Sequence, residues 1–163
     1  MTVISLFIRE LQEEALTTRK MLARIPADKF TWTPHTKSMS MDKLATHIAD
    51  LPAWIAMAFE LDELDFDSNT WEPKQINSPA ELLDIFEASM EKGMAQLTEA
   101  NGARIGERWV LRHGANILWD TDRWGMARMA ISQMVHHRAQ LGVYLRLLDI
   151  PIPGSYGPSA DEQ

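Results

Sequence analysis

Residues 124–148 read WGMARMAISQMVHHRAQLGVYLRLL. Ala, Met and Leu dominate this run, and no proline interrupts it, so it is a strong helix former throughout. Ile150-Pro151-Ile152-Pro153-Gly154 follows at once and cannot continue a helix. Working outward, Ser78-Pro79-Ala80-Glu81 is an N-terminal signature: a capping serine, a proline at the first helical position and a glutamate three residues after the cap. Leu82, Phe86, Met90 and Leu97 then recur on one face. Ser40 opens another helix, with Asp42 in the first turn and Leu44, Ile48, Leu51, Ile55 and Phe59 as its apolar stripe. Pro52 lies inside it and is expected to kink or divide it. Ile4, Phe7, Ile8, Leu11, Ala15 and Leu22 form the stripe of a first helix that Pro26 stops.

The spacing thus predicts helices near residues 3–24, 41–60, 79–98 and 124–148, with a loop-like tail over 149–163 that frays at its end. Between them, 25–39 reads as a packed connector, 61–77 as an acidic, solvated loop, and 108–119 as a small hairpin or an extended crossover. The fold class that follows is all-α, a four-helix bundle. The second and third connections are long enough to run the length of a neighbouring helix, which permits an up-down-down-up topology with parallel second and third helices.

With 163 residues, the chain suits one domain over 1–163 and a core of its own. Its net charge of −7 disfavours nucleic-acid coating, which needs clustered positive charge. No apolar stretch approaches the ~20 residues that span a bilayer, and no signal peptide opens the chain, so a cytoplasmic protein is expected. Cysteine is absent, which removes disulfides, thiolate ligands and a cysteine nucleophile together. No G-x-S-x-G, P-loop or G-x-G-x-x-G is present. The six tryptophans, Trp32, Trp54, Trp71, Trp109, Trp119 and Trp124, are scattered and read as packing under loops or at a dimer face. Met90, Met94, Met126, Met129 and Met134 read as core fillers.

Chemistry points to the histidines. His47 follows Leu44 by three residues and precedes Leu51 by four, so it projects from a buried stripe. His136 and His137 point about 100° apart on their helix and cannot both chelate one ion without distorting it. His137 shares a face with Gln133 and Tyr144. Metal sites in bundles use inward-facing ligands on different helices. His47 and His137 would be two, and Gln133 stands where a third belongs. Asp50, one turn after His47, is either an acceptor that orients its imidazole or a surface carboxylate. Tyr144 is a substrate-pocket candidate or a core aromatic, and Arg138 an anion partner or a surface salt-bridge residue. His35 and His113 lie in connectors and are expected to be exposed.

The HHRAQLGVYLRL run, the LATHIADLPAWI run and the closing DIPIPGSYGPSADE resemble the DinB-like (DinB/YfiT) family, over essentially the whole chain. The resemblance implies a four-helix bundle, commonly dimeric, that binds a divalent metal such as zinc or nickel through three histidines. It also implies transfer of a low-molecular-weight thiol or isomerisation of a thiol adduct in relatives with known chemistry. Carried over, the ligands are His47 and His137, while the third family histidine is Gln133 here, a weaker neutral donor. Three readings follow: a weakly held ion on His47, His137 and waters; Gln133 as a poor third ligand; or no ion. The expected function is a metal-dependent small-molecule transferase or hydrolase with a degenerate site. The competing expectation is a non-catalytic, stress-associated binding or scaffold bundle that has lost its metal chemistry.

Overall fold

The computed structural model describes residues 1–68 and 74–162; Trp71 and part of the acidic 61–77 stretch lie outside the described residues. Four long helices dominate: α1 (Val3–Leu22), α2 (Met41–Glu60), α3 (Pro79–Gln96) and, after a single-turn α4 (Glu99–Gly102), α5 (Arg123–Leu147). Three short strands, β1 (Glu63–Asp65), β2 (Arg108–His113) and β3 (Asn116–Asp122), form one sheet in the order β1-β2-β3. Among the described residues the fold is therefore mostly helical, not all-α, with five α-helices and a three-stranded sheet.

Local chemistry sets the helix starts. Thr2 and Ser5 make a reciprocal capping box at α1. Ser78 accepts from the Glu81 amide at 3.2 Å, while the Glu81 carboxylate reaches back to the Asn77 amide at 2.8 Å. Asp122 caps α5 by accepting from Gly125 N at 2.7 Å. Ser40 departs from expectation. It holds the N-cap position of α2, but its hydroxyl makes no bond to the helix backbone and donates instead to the Asp42 carboxylate.

Pro52 does not divide α2, which runs unbroken to Glu60. The repair comes from α3. The buried Ser89 hydroxyl accepts from Ala53 N at 2.8 Å and donates to the Asp50 carbonyl at 2.9 Å, supplying polar partners where the proline disturbs the ladder. Gly93, one turn on, lets α3 approach so closely that a β-carbon there would collide with the Pro52 carbonyl.

Cross-helix contacts give the relative directions. Ala53 meets Ser89 and Glu60 meets Gln96, so α2 and α3 run the same way. Phe7 meets Trp124 and Thr18 meets Arg138, so α1 and α5 also run together. Arg123, at the start of α5, donates to the Ala58 and Leu61 carbonyls at the end of α2, so those two run in opposite directions. α2 packs against both α3 and α5, and α1 against the other sides of α5 and α3. Leu11, Leu22, Leu44, Ile48, Leu51, Ile55, Phe86, Leu141 and Leu145 fill the core between them. Met90, Met126 and Met134 are buried there, with Met94 and Met129 packed at its margin.

The sheet covers one end. β2 and β3 form an antiparallel hairpin whose turn needs Gly114 at φ 56°, so the 108–119 stretch takes the hairpin option. β1 pairs parallel to β2, Glu63 opposite Val110, within the stretch read as a solvated loop. The stretch stays largely solvated, but two of its carboxylates are paired: Arg112 lies 3.0 Å from the exposed Glu63 and 3.4 Å from the shielded Asp65. Asp65 also accepts from Gly114 N and Asp67 N, which hold its carboxyl below the usual carboxylate range. Trp109 is fully buried and anchors the sheet to the helical core.

Arg138 is not a surface residue. It is 2% exposed, with its guanidinium on the Glu14 carbonyl and carboxylate, the Thr18 hydroxyl and the Tyr156 hydroxyl. Tyr156 donates in turn to Glu14 at 2.8 Å. Arg146 grips Asp161 through two bonds, and Asp161 accepts from Ile152 N at 2.9 Å. The tail expected to fray is thus tied to α1 and α5, and it closes with a 3-10 turn at Ala160–Glu162. Among the described residues, no helix is long and apolar enough to cross a membrane.

Candidate functional site

α2 carries His47 at the edge of its buried stripe, half-buried beside Leu44, Ile48 and Leu51. α5 carries His137 in the same way, between the buried Met134 and Leu141. The two imidazoles meet edge to face, ring centroids 4.8 Å apart at 70°. The indole of Trp54, two turns along α2, also meets His47 edge to face, ring centroids 5.5 Å apart. Burial, and then the neighbouring His137, hold His47 below the ordinary imidazole value, while Asp50 pulls weakly the other way. A neutral imidazole in this place has a lone pair to offer.

The remaining candidates are distributed as follows. Gln133 is half-buried on α5, one turn before His137. Asp50 accepts from Trp54 Nε1 at 3.4 Å and from Lys74 Nζ at 3.3 Å; among the described residues no hydrogen bond joins it to His47, on which it acts through charge. Tyr144 donates its hydroxyl to the Met39 carbonyl at 3.2 Å and packs edge-on against Trp32, fastening the 25–39 connector to α5. His136 is exposed on α5 with its ring 5.0 Å from that of His137. His35 is exposed in a connector, whereas His113, also exposed, is the last residue of β2 rather than part of a connector and faces Asp67 at 3.0 Å.

One participant escaped the sequence reading. The Gln140 amide bridges two rings, lying 2.8 Å from His137 Nδ1 and 3.0 Å from His136 Nε2. The signal was there in the spacing, since Gln140 stands three residues after His137 and four after His136.

Among the described residues, no three His, Cys, Asp or Glu side chains gather where they could hold a metal ion. The structure brings together two imidazoles from facing helices, with Gln133 one turn before His137 on α5. Two imidazoles fit a divalent ion only in part, since a zinc or nickel site ordinarily takes a third protein ligand.

The model of the DinB family matches residues 1–163. The chain belongs to the DinB family. Solved structures with this DinB fold include a DinB-like protein from Bacillus subtilis, 19% identical with a TM-score of 0.67 over 91% of this chain and 96% of that one. A protein assigned to the DinB family from Exiguobacterium sibiricum is 20% identical, with a TM-score of 0.69 over 94% and 97%. A DinB-like protein from Bacillus cereus is 16% identical, with a TM-score of 0.69 over 92% and 95%. These likenesses concern the DinB fold. No curated protein matches the chain.

Proposed function

We propose that this DinB-family chain is an up-down-down-up bundle that uses His47 and His137, with Gln133 as a weak third donor, as a degenerate divalent-metal site. The reaction class is transfer or hydrolysis on a small molecule, with a low-molecular-weight thiol as the candidate substrate by family resemblance; the chain has no cysteine, so that thiol would arrive as a substrate. The observation that carries this reading is the 4.8 Å approach of two imidazoles from different helices, one of them kept neutral by burial. Two half-buried imidazoles facing each other cannot both be protonated without mutual repulsion, so one of them stays neutral and keeps a lone pair.

The chain's own residues supply three things. His47 and His137 offer imidazole nitrogens, Trp54 closes one side of the His47 ring, and Gln133 leaves the third place open to exchange. A divalent ion bound there would act as Lewis acid and lower the pKa of a coordinated water or thiol.

The test is metal content by elemental mass spectrometry on chelator-free, untagged protein, beside Gln133→His and His137→Ala. We expect sub-stoichiometric zinc or nickel in the natural chain, near-stoichiometric metal in Gln133→His, and none in His137→Ala with helical content retained. Equal metal in all three proteins would refute the site.

A further inference from the structure

We propose that the outward face of α5 is a docking surface for a second copy of this chain, set antiparallel about a two-fold axis at Ala139. Arg128, Ser132, Val135, Ala139, Val143 and Arg146 recur at steps of three and four residues and so share one face. All of them but the half-buried Val135 are exposed. The one Asp, Glu, Lys or Arg between Arg128 and Arg146 is Arg138, which is 2% exposed and turned into the core. In a chain of net charge −7, more than four turns of surface helix thus present water with no carboxylate, lysine or arginine. Val143 and Leu147 are 58% and 60% exposed there. The face adjoins a groove of about 540 Å³ between α5 and the tail, lined by Val143, Leu147, Ile152, Pro153 and Tyr156 among others. Arg146, the charged residue of that lining, is already bonded to Asp161, so the groove offers a partner apolar surface.

The charges at the two ends of the face identify the occupant. Arg128 reaches the Ser132 hydroxyl at 3.5 Å, and Asp149, exposed just past the end of α5, acts on Arg146 only through charge at longer range. Among the described residues neither of them enters an ion pair, Arg146 being taken by Asp161. A two-fold contact brings residue i of one copy to residue j of the other, and j to i. Antiparallel helices crossing at Ala139 pair positions whose numbers sum to about 278. Val135 then meets Val143, Ser132 meets Arg146, and Arg128 falls within one residue of Asp149. The small side chain of Ala139 stands where the helices come closest. One geometry therefore covers the apolar face and gives both charges opposite partners, twice over. A partner of another sequence would have to bring this pattern with it, whereas a second copy already holds it. The surface is independent of the metal site proposed above.

The experiment is sedimentation equilibrium of the untagged full chain from low to high micromolar concentration. We expect the mass to rise to twice that of the chain. Val143→Glu and Ala139→Glu, both at exposed positions, should leave monomer throughout, with helical content by circular dichroism unchanged. Arg128→Gln and Asp149→Asn should each weaken the dimer by about 2–30-fold, because each removes two ion pairs at the rim. Asparagine suits the φ of 56° that Asp149 holds, so that variant tests charge and not the backbone. The double variant should be no weaker than either single one, since the same pairs are already gone. A natural chain that stays monomeric, or a dimer that survives both glutamate variants, would overturn the docking surface. Additive losses from Arg128→Gln and Asp149→Asn would overturn the antiparallel register. A monomer that binds anilinonaphthalene sulfonate until Val143→Glu abolishes it would likewise overturn the proposal and give the groove to a small apolar ligand.

Discussion

Ser89→Ala tests how α2 survives its internal proline. Ser89 is 2% exposed and bridges Ala53 N at 2.8 Å and the Asp50 carbonyl at 2.9 Å. The substitution deletes one oxygen and leaves a cavity too small to hold water, so packing contributes little. The main term is an amide donor left buried without its acceptor, which costs about 1–3 kcal/mol. Urea unfolding followed by far-ultraviolet circular dichroism reads this directly. With a slope of about 1–3 kcal/mol/M, the midpoint should fall by roughly 1 M at constant slope. The cycle with Pro52→Ala isolates the cause. An alanine lets the helix ladder close past residue 53, so Ser89→Ala should cost under about 1 kcal/mol in that background, a coupling within the range seen for residues in contact. A cost of about 0.5 kcal/mol or less in the natural background, the level of an ordinary surface substitution, would show that α2 satisfies itself and that the serine bridge is incidental.

Three further outcomes follow from the packing. Gly93→Ala should destabilise by about 1–3 kcal/mol in the same assay, because the new methyl meets the backbone carbonyl of Pro52, which cannot swing away as a side chain would. Arg138→Ala should cost about 3–5 kcal/mol, since it strands the Glu14 carboxylate in a largely buried place; calorimetric melting would detect it, and a loss near zero would mean that Glu14 escapes to solvent. Asp161 has its carboxyl lowered to about 2 by Arg146 and by the Ile152 amide, so its contribution is complete above the unfolded value of 3.8 and is lost as pH falls through about 2. Asp161→Asn should remove that acid dependence and speed proteolysis of the tail at neutral pH; a tail equally resistant in both proteins would refute the clamp.

Much of the fold was legible because it depends on local signals. The α2 and α3 starts at Met41 and Pro79 follow from residues within one turn, and the apolar stripes that identify the long helices are the same residues that fill the core. β1 was not legible, since three residues in an acidic run become a strand only through the parallel ladder that β2 offers and the guanidinium of Arg112. Arg138 misled for a related reason: a charged residue reads as exposed until Glu14, Thr18 and Tyr156 are brought to it from distant parts of the chain. At the site, helical spacing placed His47 and His137 on inward faces, and the structure brings their rings together. The tie between Tyr144 and Met39 depends on where the connector lies, which no periodicity records.

The hydrogen bond between Tyr156 and Glu14 joins residues 142 positions apart, against 36 for the Ala53–Ser89 bridge. Two doublings of loop length add about 1.2 kcal/mol to the entropy of closure, so the first contact is poorly placed to form early. It gains once α1 and α5 are already side by side, after the rate-limiting step in which the helices find one another. Weakening it should leave the refolding rate nearly unchanged and show up as faster unfolding. The clasp over α1 and α5 is thus expected to set how long the folded molecule lasts rather than how fast it forms.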